Sequence, residues 1–168
     1  MTRRELPLDP IREAERLWTE HGWPDSAPGM AAVTSLMRAH QLVLSRVEAV
    51  LRPLDVTFAR YEVLMLLVFS RRGTLPMSRI GTRLQVHQTS VTNAVDRLER
   101  AGLVRRVPHP SDRRTTLIEI TRAGREVADT ATQRLNETVF ANPGLTRRDT
   151  TTLVDILARL RRQAGDFG

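Results

Sequence analysis

Residues 88–102 read Gln-Thr-Ser-Val-Thr-Asn-Ala-Val-Asp-Arg-Leu-Glu-Arg-Ala-Gly, and this stretch decides the fold. Its apolar side chains recur at helical spacing and predict one buried face, formed by Val91, Ala94, Val95 and Leu98. The opposite face carries polar side chains suited to hydrogen bonding, namely Gln88, Thr89, Thr92, Asn93 and Asp96. Gly102 supplies the left-handed position that ends a helix. An ordinary solvated face is richer in charged pairs, so the stretch is typical of a recognition helix that contacts base edges.

The flanking segments complete a winged helix-turn-helix. Residues 78–84 predict a short helix, and residues 85–87 are a tight connection to the next one. Downstream, residues 103–107 and 116–120 alternate with the period of a strand. Between them lies a polar tip, 108–114, whose prolines are expected to stay out of strand pairing. The order helix, turn, helix and two-stranded wing therefore predicts a winged domain.

Three short motifs carry a family resemblance. They are the run Leu98–Arg106, the triplet Asp112-Arg113-Arg114 and the Thr-x-x-Gly of residues 121–124. With these motifs the sequence resembles the MarR family of bacterial transcriptional regulators over roughly residues 30–160. The resemblance implies an obligate two-fold dimer that binds a pseudo-palindromic operator and is usually released from DNA by small molecules.

The apolar pattern outside the winged domain predicts dimerisation helices. Residues 30–54 place apolar side chains on a heptad seam in which His40 fills one slot, the others being Val33, Met37, Leu44, Val47, Leu51 and Leu54. The last helix, opened by Thr146, has a seam of Leu153, Ile156, Leu157 and Leu160. A two-fold dimer would bury both seams and place two recognition helices on one face of DNA.

These patterns give the predicted fold class and boundaries. We predict a mainly α-helical chain with a small β wing, in which a winged helix-turn-helix domain joins a helical dimerisation domain built from both termini. Residues 1–29 are an N-terminal extension with a short helix after Asp9-Pro10 and a loop over 23–29. Residues 55–122 are the DNA-binding domain, and residues 30–54 and 123–168 form the dimerisation region.

Charge and the motifs together predict the DNA contacts. Nine arginines and four acidic residues lie between residues 74 and 122, which gives +5 of the net charge of +7. Such clustering is the electrostatic footprint of a nucleic-acid binder. We expect four residues to read the major groove, namely Gln88, Thr89, Thr92 and Asn93. Ser90 and Arg97 should lie nearer phosphate, and at the wing tip Arg113, oriented by Asp112 and next to Arg114, should enter the minor groove.

Several classes of protein are disfavoured by what the sequence lacks. It contains no phosphate loop, no Gly-x-Ser-x-Gly and no His-Glu-x-x-His motif, so we predict neither an enzyme nor a cofactor. The four histidines are far apart, and without cysteine a metal site is not expected. No apolar run approaches the ~20 residues of a membrane span. We therefore expect a cytoplasmic protein without a membrane partner.

The effector site is predicted from a few polar or aromatic groups. His40 is interpreted as either a core histidine with its hydrogen bonds satisfied or a ligand contact, and Trp18 as either an anchor for the extension or the wall of a ligand site. In the family the pocket lies between the dimerisation helices and the winged domain, which here adds Tyr61 and Glu62 to the candidate lining.

A urate-responsive subgroup shares part of this pattern. Four residues are linked to urate in this subgroup, and Trp18, Glu62 and Arg106 fall at three of those positions. The subgroup has an aspartate where this chain has Glu62, and an arginine where this chain has Ala94. The match therefore favours another anionic or aromatic metabolite over urate.

Together these observations predict a homodimeric repressor released from its operator by a small anionic or aromatic ligand. Its partners would be double-stranded DNA, a second copy of the chain and an effector of unknown identity. Two alternatives stay open. One is a non-specific architectural DNA binder, and the other is a ligand-binding protein without operator specificity.

Overall fold

The structure is a computed structural model that describes residues 6–84, 88–112 and 114–168, with Gln88 as backbone alone. The helices are α1 (Pro10–Glu20), α2 (Ala27–Leu51), α3 (Phe58–Val68), α4 (Met77–Leu84), α5 (Gln88–Arg100), α6 (Arg122–Leu135) and α7 (Arg147–Gln163). The strands are β1 (Thr74–Pro76), β2 (Val104–Pro108) and β3 (Thr116–Ile120). A 3-10 turn, Arg52–Leu54, follows α2, and a π-helical turn, Asn136–Phe140, follows α6. This architecture confirms the predicted fold class.

The chain forms two compact units, one up to Arg46 and one from Val47 onward. In the first unit, the Asp9 carboxylate accepts a hydrogen bond from the Ile11 amide at 3.0 Å and so begins α1, as the Asp-Pro pair predicted. Helix α2 begins at Ala27, so the prediction of a loop as far as Gly29 was wrong. Pro28 lies in the first helical turn, where its missing N–H costs no intrahelical hydrogen bond.

The second unit has a continuous apolar core. Helix α3 supplies three side chains with no exposed surface, Val63, Leu64 and Leu67. The Thr57 hydroxyl accepts from the Arg60 amide, as expected of the predicted cap, and the Glu48 carboxylate accepts from the Phe58 amide at 2.9 Å. This core includes side chains from α4, α5, β2, β3 and α6, and it fixes the winged domain as one body.

The wing is a three-stranded antiparallel sheet in the order β1-β3-β2, so the two-stranded prediction was incomplete. Thr74 pairs with Glu119, and Val104 pairs with Ile120. Pro108 pairs with Thr116 at the end of β2, which corrects the expectation that it lies outside the sheet. Because β2 is an edge strand, a proline there need not donate to a neighbour.

The Thr-x-x-Gly motif joins the recognition helix to α6. The Thr121 hydroxyl donates to the Gly102 carbonyl at 2.8 Å and accepts from the Gly124 amide at 3.0 Å. A Cβ atom at Gly124 would lie 2.0 Å from the carbonyl oxygen of Leu103, so only glycine fits this position. The end of α5 and the start of α6 are therefore held at a fixed approach.

Candidate nucleic-acid interface

The two faces of α5 differ as the sequence predicts. Val91, Val95 and Leu98 are at most 1% exposed, and Ala94 is half-buried beside them. On the other side, Thr89, Ser90, Asn93 and Arg97 are exposed, and Thr92 is half-buried. Burial of one face leaves the helix with no freedom to rotate, so the polar face keeps a constant orientation toward solvent.

The C-terminal end of α5 is closed by its backbone. Gly102 has φ +71°, and the Leu103 amide donates to the Leu98 carbonyl at 2.9 Å. The Gly102 amide donates to the Glu99 carbonyl at the same distance. These are the two hydrogen bonds of a Schellman motif, so the predicted helix stop is confirmed.

Arg106 of β2 ties the wing to α5. Its guanidinium pairs with Asp96 at 2.5 Å and also with Glu99, while its backbone amide donates to the Glu99 carboxylate at 3.0 Å. Hydrogen bonding to Asp96, followed by the charge of Glu99, holds the pKa of Arg106 above its usual range. Asp96 lies on the polar face that was predicted to contact base edges, but its carboxylate is engaged in this ion pair.

An arginine-lined cleft of about 710 Å³ opens between the start of α3 and α5. Arg60, Arg97 and Arg100 line it, and Asp55 is the acidic residue among its lining residues. Arg60 is held by hydrogen bonds to the Thr57 hydroxyl, at 3.1 Å, and to the Asp55 carbonyl, at 3.0 Å. This positive surface beside the polar face of α5 suits a phosphate backbone.

The wing tip is ordered by local hydrogen bonds. The Asp112 carboxylate accepts from the Arg114 amide at 3.0 Å and from the Thr115 hydroxyl at 2.6 Å. The Thr115 hydroxyl, followed by the Arg114 amide, lowers the pKa of Asp112. Arg114 is exposed, and the prediction for Arg113 falls outside the described residues. Asp112 therefore stabilises the tip through the backbone on its C-terminal side.

The effector candidates belong to different units. In the first unit, Trp18 is 37% exposed and lies 5.0 Å, centroid to centroid, from Trp23. His40 is exposed in the single chain, so its burial as a core histidine would need a partner helix. It lies on a seam whose apolar members Val33 and Met37 are also exposed.

In the second unit, Tyr61 is buried and its hydroxyl bonds the Thr132 hydroxyl at 2.9 Å, which indicates a structural role. Glu62 is half-buried, and burial raises its pKa. Among the described residues, no cluster of histidine, aspartate or glutamate is arranged to hold a metal ion. Within the same residues, no helix is long and apolar enough to span a membrane.

Comparison with solved structures identifies the family. Sco5413, a MarR family transcriptional regulator from Streptomyces coelicolor, is 51% identical in sequence to this chain. The alignment covers 83% of this chain and 97% of Sco5413, with a TM-score of 0.76. The family model of the MarR family also matches residues 56–116. The chain belongs to the MarR family.

Other solved structures and curated proteins extend the comparison. Sco3205 from Streptomyces coelicolor, solved in complex with DNA, is 26% identical over 79% of this chain and 84% of its own, with a TM-score of 0.69. NadR, solved in complex with 4-hydroxyphenylacetate, is 25% identical over 76% of this chain and 89% of its own, with a TM-score of 0.59. Curated helix-turn-helix transcriptional regulators match at 32–36% identity, and the chain spans about half of their length. The curated relatives and Sco3205 are named as transcriptional regulators.

Sequence reasoning on this MarR chain missed two sets of residues. Arg60 and Arg100 were not assigned to the interface, because the cleft needs the start of α3 beside α5. Arg106 was noted only through the urate resemblance, and its ion pair with Asp96 depends on the position of β2 against α5. The cluster of arginines was visible in the sequence, but the residues that pair with each arginine were not.

Proposed function

We propose that this MarR protein is a homodimeric, sequence-specific DNA-binding transcriptional regulator, and that it represses until a small anionic or aromatic ligand releases it from a pseudo-palindromic operator. One observation carries the DNA-binding part of the proposal. Helix α5 exposes Thr89, Asn93 and Arg97 on one side while its other side is fixed in the core. A helix presented in this way fits the major groove, where amide and hydroxyl groups distinguish bases.

The surrounding positive charge supports the same proposal. Arg60, Arg97 and Arg100 line the cleft beside α5 and would meet phosphates, which position a protein without reading sequence. The DNA complex of Sco3205 has the same fold, and this supports a similar use of the winged domain here. We accordingly assign residues 55–122 to DNA binding, on a chromosome in the bacterial cytoplasm.

Dimerisation is proposed from exposed apolar surface. On α7, Leu153, Val154, Ile156 and Leu160 are 42–60% exposed, and on α2, Val33 and Met37 are 60% and 61% exposed. Several exposed apolar side chains on one helix indicate an interaction site. A second copy of the chain is the proposed partner, with residues 30–54 and 123–168 forming the interface. Such a dimer would present two copies of α5 about one helical turn apart on the operator.

A pair of single substitutions tests base reading against phosphate contact. We expect Asn93→Ala to cost about 1–3 kcal/mol per half-site on the operator and to relax sequence preference. Arg97→Ala should weaken binding to every sequence alike and reduce the dependence of affinity on salt. The measurement is a binding titration of both variants on operator and random DNA at several salt concentrations. Equal losses on operator and random DNA for Asn93→Ala would contradict its role, and equal wild-type binding to both DNAs would favour an architectural protein.

The effector part rests on the partly buried Glu62 and on the NadR complex with an aromatic carboxylate. A ligand releases DNA only as far as it binds the DNA-free geometry more tightly. Tyr61 and Glu62 stay the proposed effector contacts of the second unit, with Tyr61 contributing its ring because its hydroxyl already bonds Thr132. Trp18 and His40 stay the candidates of the first unit.

Release by an effector can be measured directly. We expect His40→Leu to preserve dimerisation and operator affinity but to blunt release by an active compound. The measurement titrates a panel of aromatic carboxylates, including 4-hydroxyphenylacetate, against operator-bound protein while following Trp fluorescence. Glu62→Ala is the companion variant. Identical release curves for both variants and wild type would put the effector site elsewhere.

A further inference from the structure

The wing tip contains a histidine in an unusual bonding role. His109 is half-buried, and its Nδ1 atom lies 3.1 Å from the Asp112 amide nitrogen and 3.3 Å from the Ser111 amide nitrogen. The Ser111 hydroxyl lies 3.4 Å from the same atom. A backbone N–H can only donate, so Nδ1 is the acceptor and carries no proton. The ring therefore binds the two residues Ser111 and Asp112 through this nitrogen.

The remaining hydrogen bonds close the tip on itself. The His109 amide donates to the Thr115 carbonyl at 3.2 Å, and the Thr115 amide donates to the Asp112 carbonyl at 3.1 Å. Asp112 then accepts from Arg114 and from the Thr115 hydroxyl. His109 therefore holds Ser111 and Asp112, and Asp112 holds Arg114 and Thr115.

We propose that His109 is a positioning residue for DNA recognition, whose Nδ1 atom fixes Ser111 and Asp112 in the conformation that presents Arg114 to DNA. This inference rests on the proposed DNA-binding function. Without the acceptor, the Ser111 and Asp112 amides turn to water and the tip samples other conformations. Binding DNA would then have to order the tip again, and that cost lowers the affinity.

A conservative substitution separates this role from bulk or packing. In His109→Asn the side-chain oxygen can accept from the amides two and three residues onward, as asparagine does in turns. In His109→Ala no acceptor is left. We expect His109→Ala to weaken operator binding about tenfold, the scale of one lost hydrogen bond to an ordered group. We expect His109→Asn to stay within about twofold of wild type.

The matched control is His21→Ala, in the other compact unit, where an exposed histidine bonds the Leu17 carbonyl through Nδ1. It should leave operator affinity unchanged. Thermal unfolding of each variant checks that the winged domain is intact.

Amide hydrogen exchange of free protein tests the acceptor without DNA. We expect the Ser111 and Asp112 amides to exchange faster in His109→Ala than in wild type or in His109→Asn. Wild-type affinity in His109→Ala would overturn the proposal, and so would equal losses in His109→Asn and His109→Ala. If wild type bound no operator, the proposed function would fail, whereas unchanged exchange in His109→Ala would reject the inference alone.

Discussion

The winged core and the surface of α7 use similar apolar residues in opposite ways. Leu64, Leu67 and Leu98 are at most 1% exposed within a single chain, whereas Leu153 and Leu160 of α7 are 42% and 50% exposed. The first set completes a core with side chains from neighbouring elements of the same protomer. The second set belongs to the apolar stripe of α7, formed by Leu153, Ile156, Leu157 and Leu160, and none of these side chains is buried. The difference indicates that a single chain completes the winged core, whereas the apolar side chains of α7 stay exposed in a single chain and would be covered in the proposed dimer.

The comparison also relates structure to regulation. Helix α5 is held on its apolar side by the core and on its polar side by Arg106, so its own conformation is fixed. The spacing between the two copies of α5 in the proposed dimer can still change. An effector that changed this spacing would release DNA without touching α5.

The largest effect should come from charging the α7 stripe. We expect Ile156→Asp, at a side chain 47% exposed in the single chain, to give a monomer, because the charge would be buried at the dimer interface. Operator affinity should then fall by at least about two orders of magnitude, since the second half-site no longer binds in the same complex. Light scattering and a binding titration measure both effects. Thr151→Asp, at an exposed position off the stripe, is the matched control. A dimeric Ile156→Asp protein would remove the distinction between the two regions.

A substitution in the winged core tests the buried region of this comparison. Leu98→Ala should lower the free energy of unfolding by about 2–5 kcal/mol, because the lost side chain leaves a cavity in a packed core. The control is Leu42→Ala on α2, outside the predicted seam and 40% exposed, with an expected change within about 0.5 kcal/mol. Urea denaturation at one fixed protein concentration gives both values. Similar losses in the two variants would show that exposure in the single chain does not distinguish these regions.

The smallest effect concerns Glu62, at the edge of the winged core. Burial raises its folded-state pKa above the ordinary 4.5. At pH values between the two pKa values, Glu62 is therefore protonated more often in the folded protein than in the unfolded chain. Stability contributed by this group is therefore present below the ordinary pKa and is lost as pH rises through the folded value. Glu62→Gln should be more stable than wild type at pH 7, with the advantage shrinking toward pH 4.

Urea denaturation at both pH values measures this difference. Glu126→Gln, at an exposed position on α6, is the control. A Glu62→Gln advantage that grew on acidification would contradict the assigned cause.

Local features were predictable from the sequence, whereas long-range contacts were not. The caps of α1 and α3, the stop at Gly102 and the buried face of α5 each depend on residues within one or two helical turns, and all were confirmed. The pairing of Thr74 with Glu119 joins residues 45 positions apart, and no local pattern specifies it. Likewise, the ion pair of Asp96 was not predicted, because its partner Arg106 comes from a strand.

The same difference between local and long-range features explains which residues of the candidate site were predicted. The exposed side of α5 follows from periodicity, so Thr89, Asn93 and Arg97 were correctly placed on the surface. Arg60 and the hydrogen-bonding role of His109 needed three-dimensional neighbours. His40, interpreted as either a core histidine or a ligand contact, is exposed in the single chain, because a heptad position implies burial only when a partner helix is present.

Selection from a random DNA pool tests the central proposal most directly. Wild-type protein and Asn93→Ala would be carried through the same rounds at fixed salt, and the enriched sequences compared. We predict that wild type enriches a pseudo-palindrome with half-site centres about one helical turn apart, ~34–36 Å, and that Asn93→Ala loses preference at one position in each half-site. Enrichment of no common sequence by wild type, or of an unpaired single site, would contradict a dimeric, sequence-specific regulator.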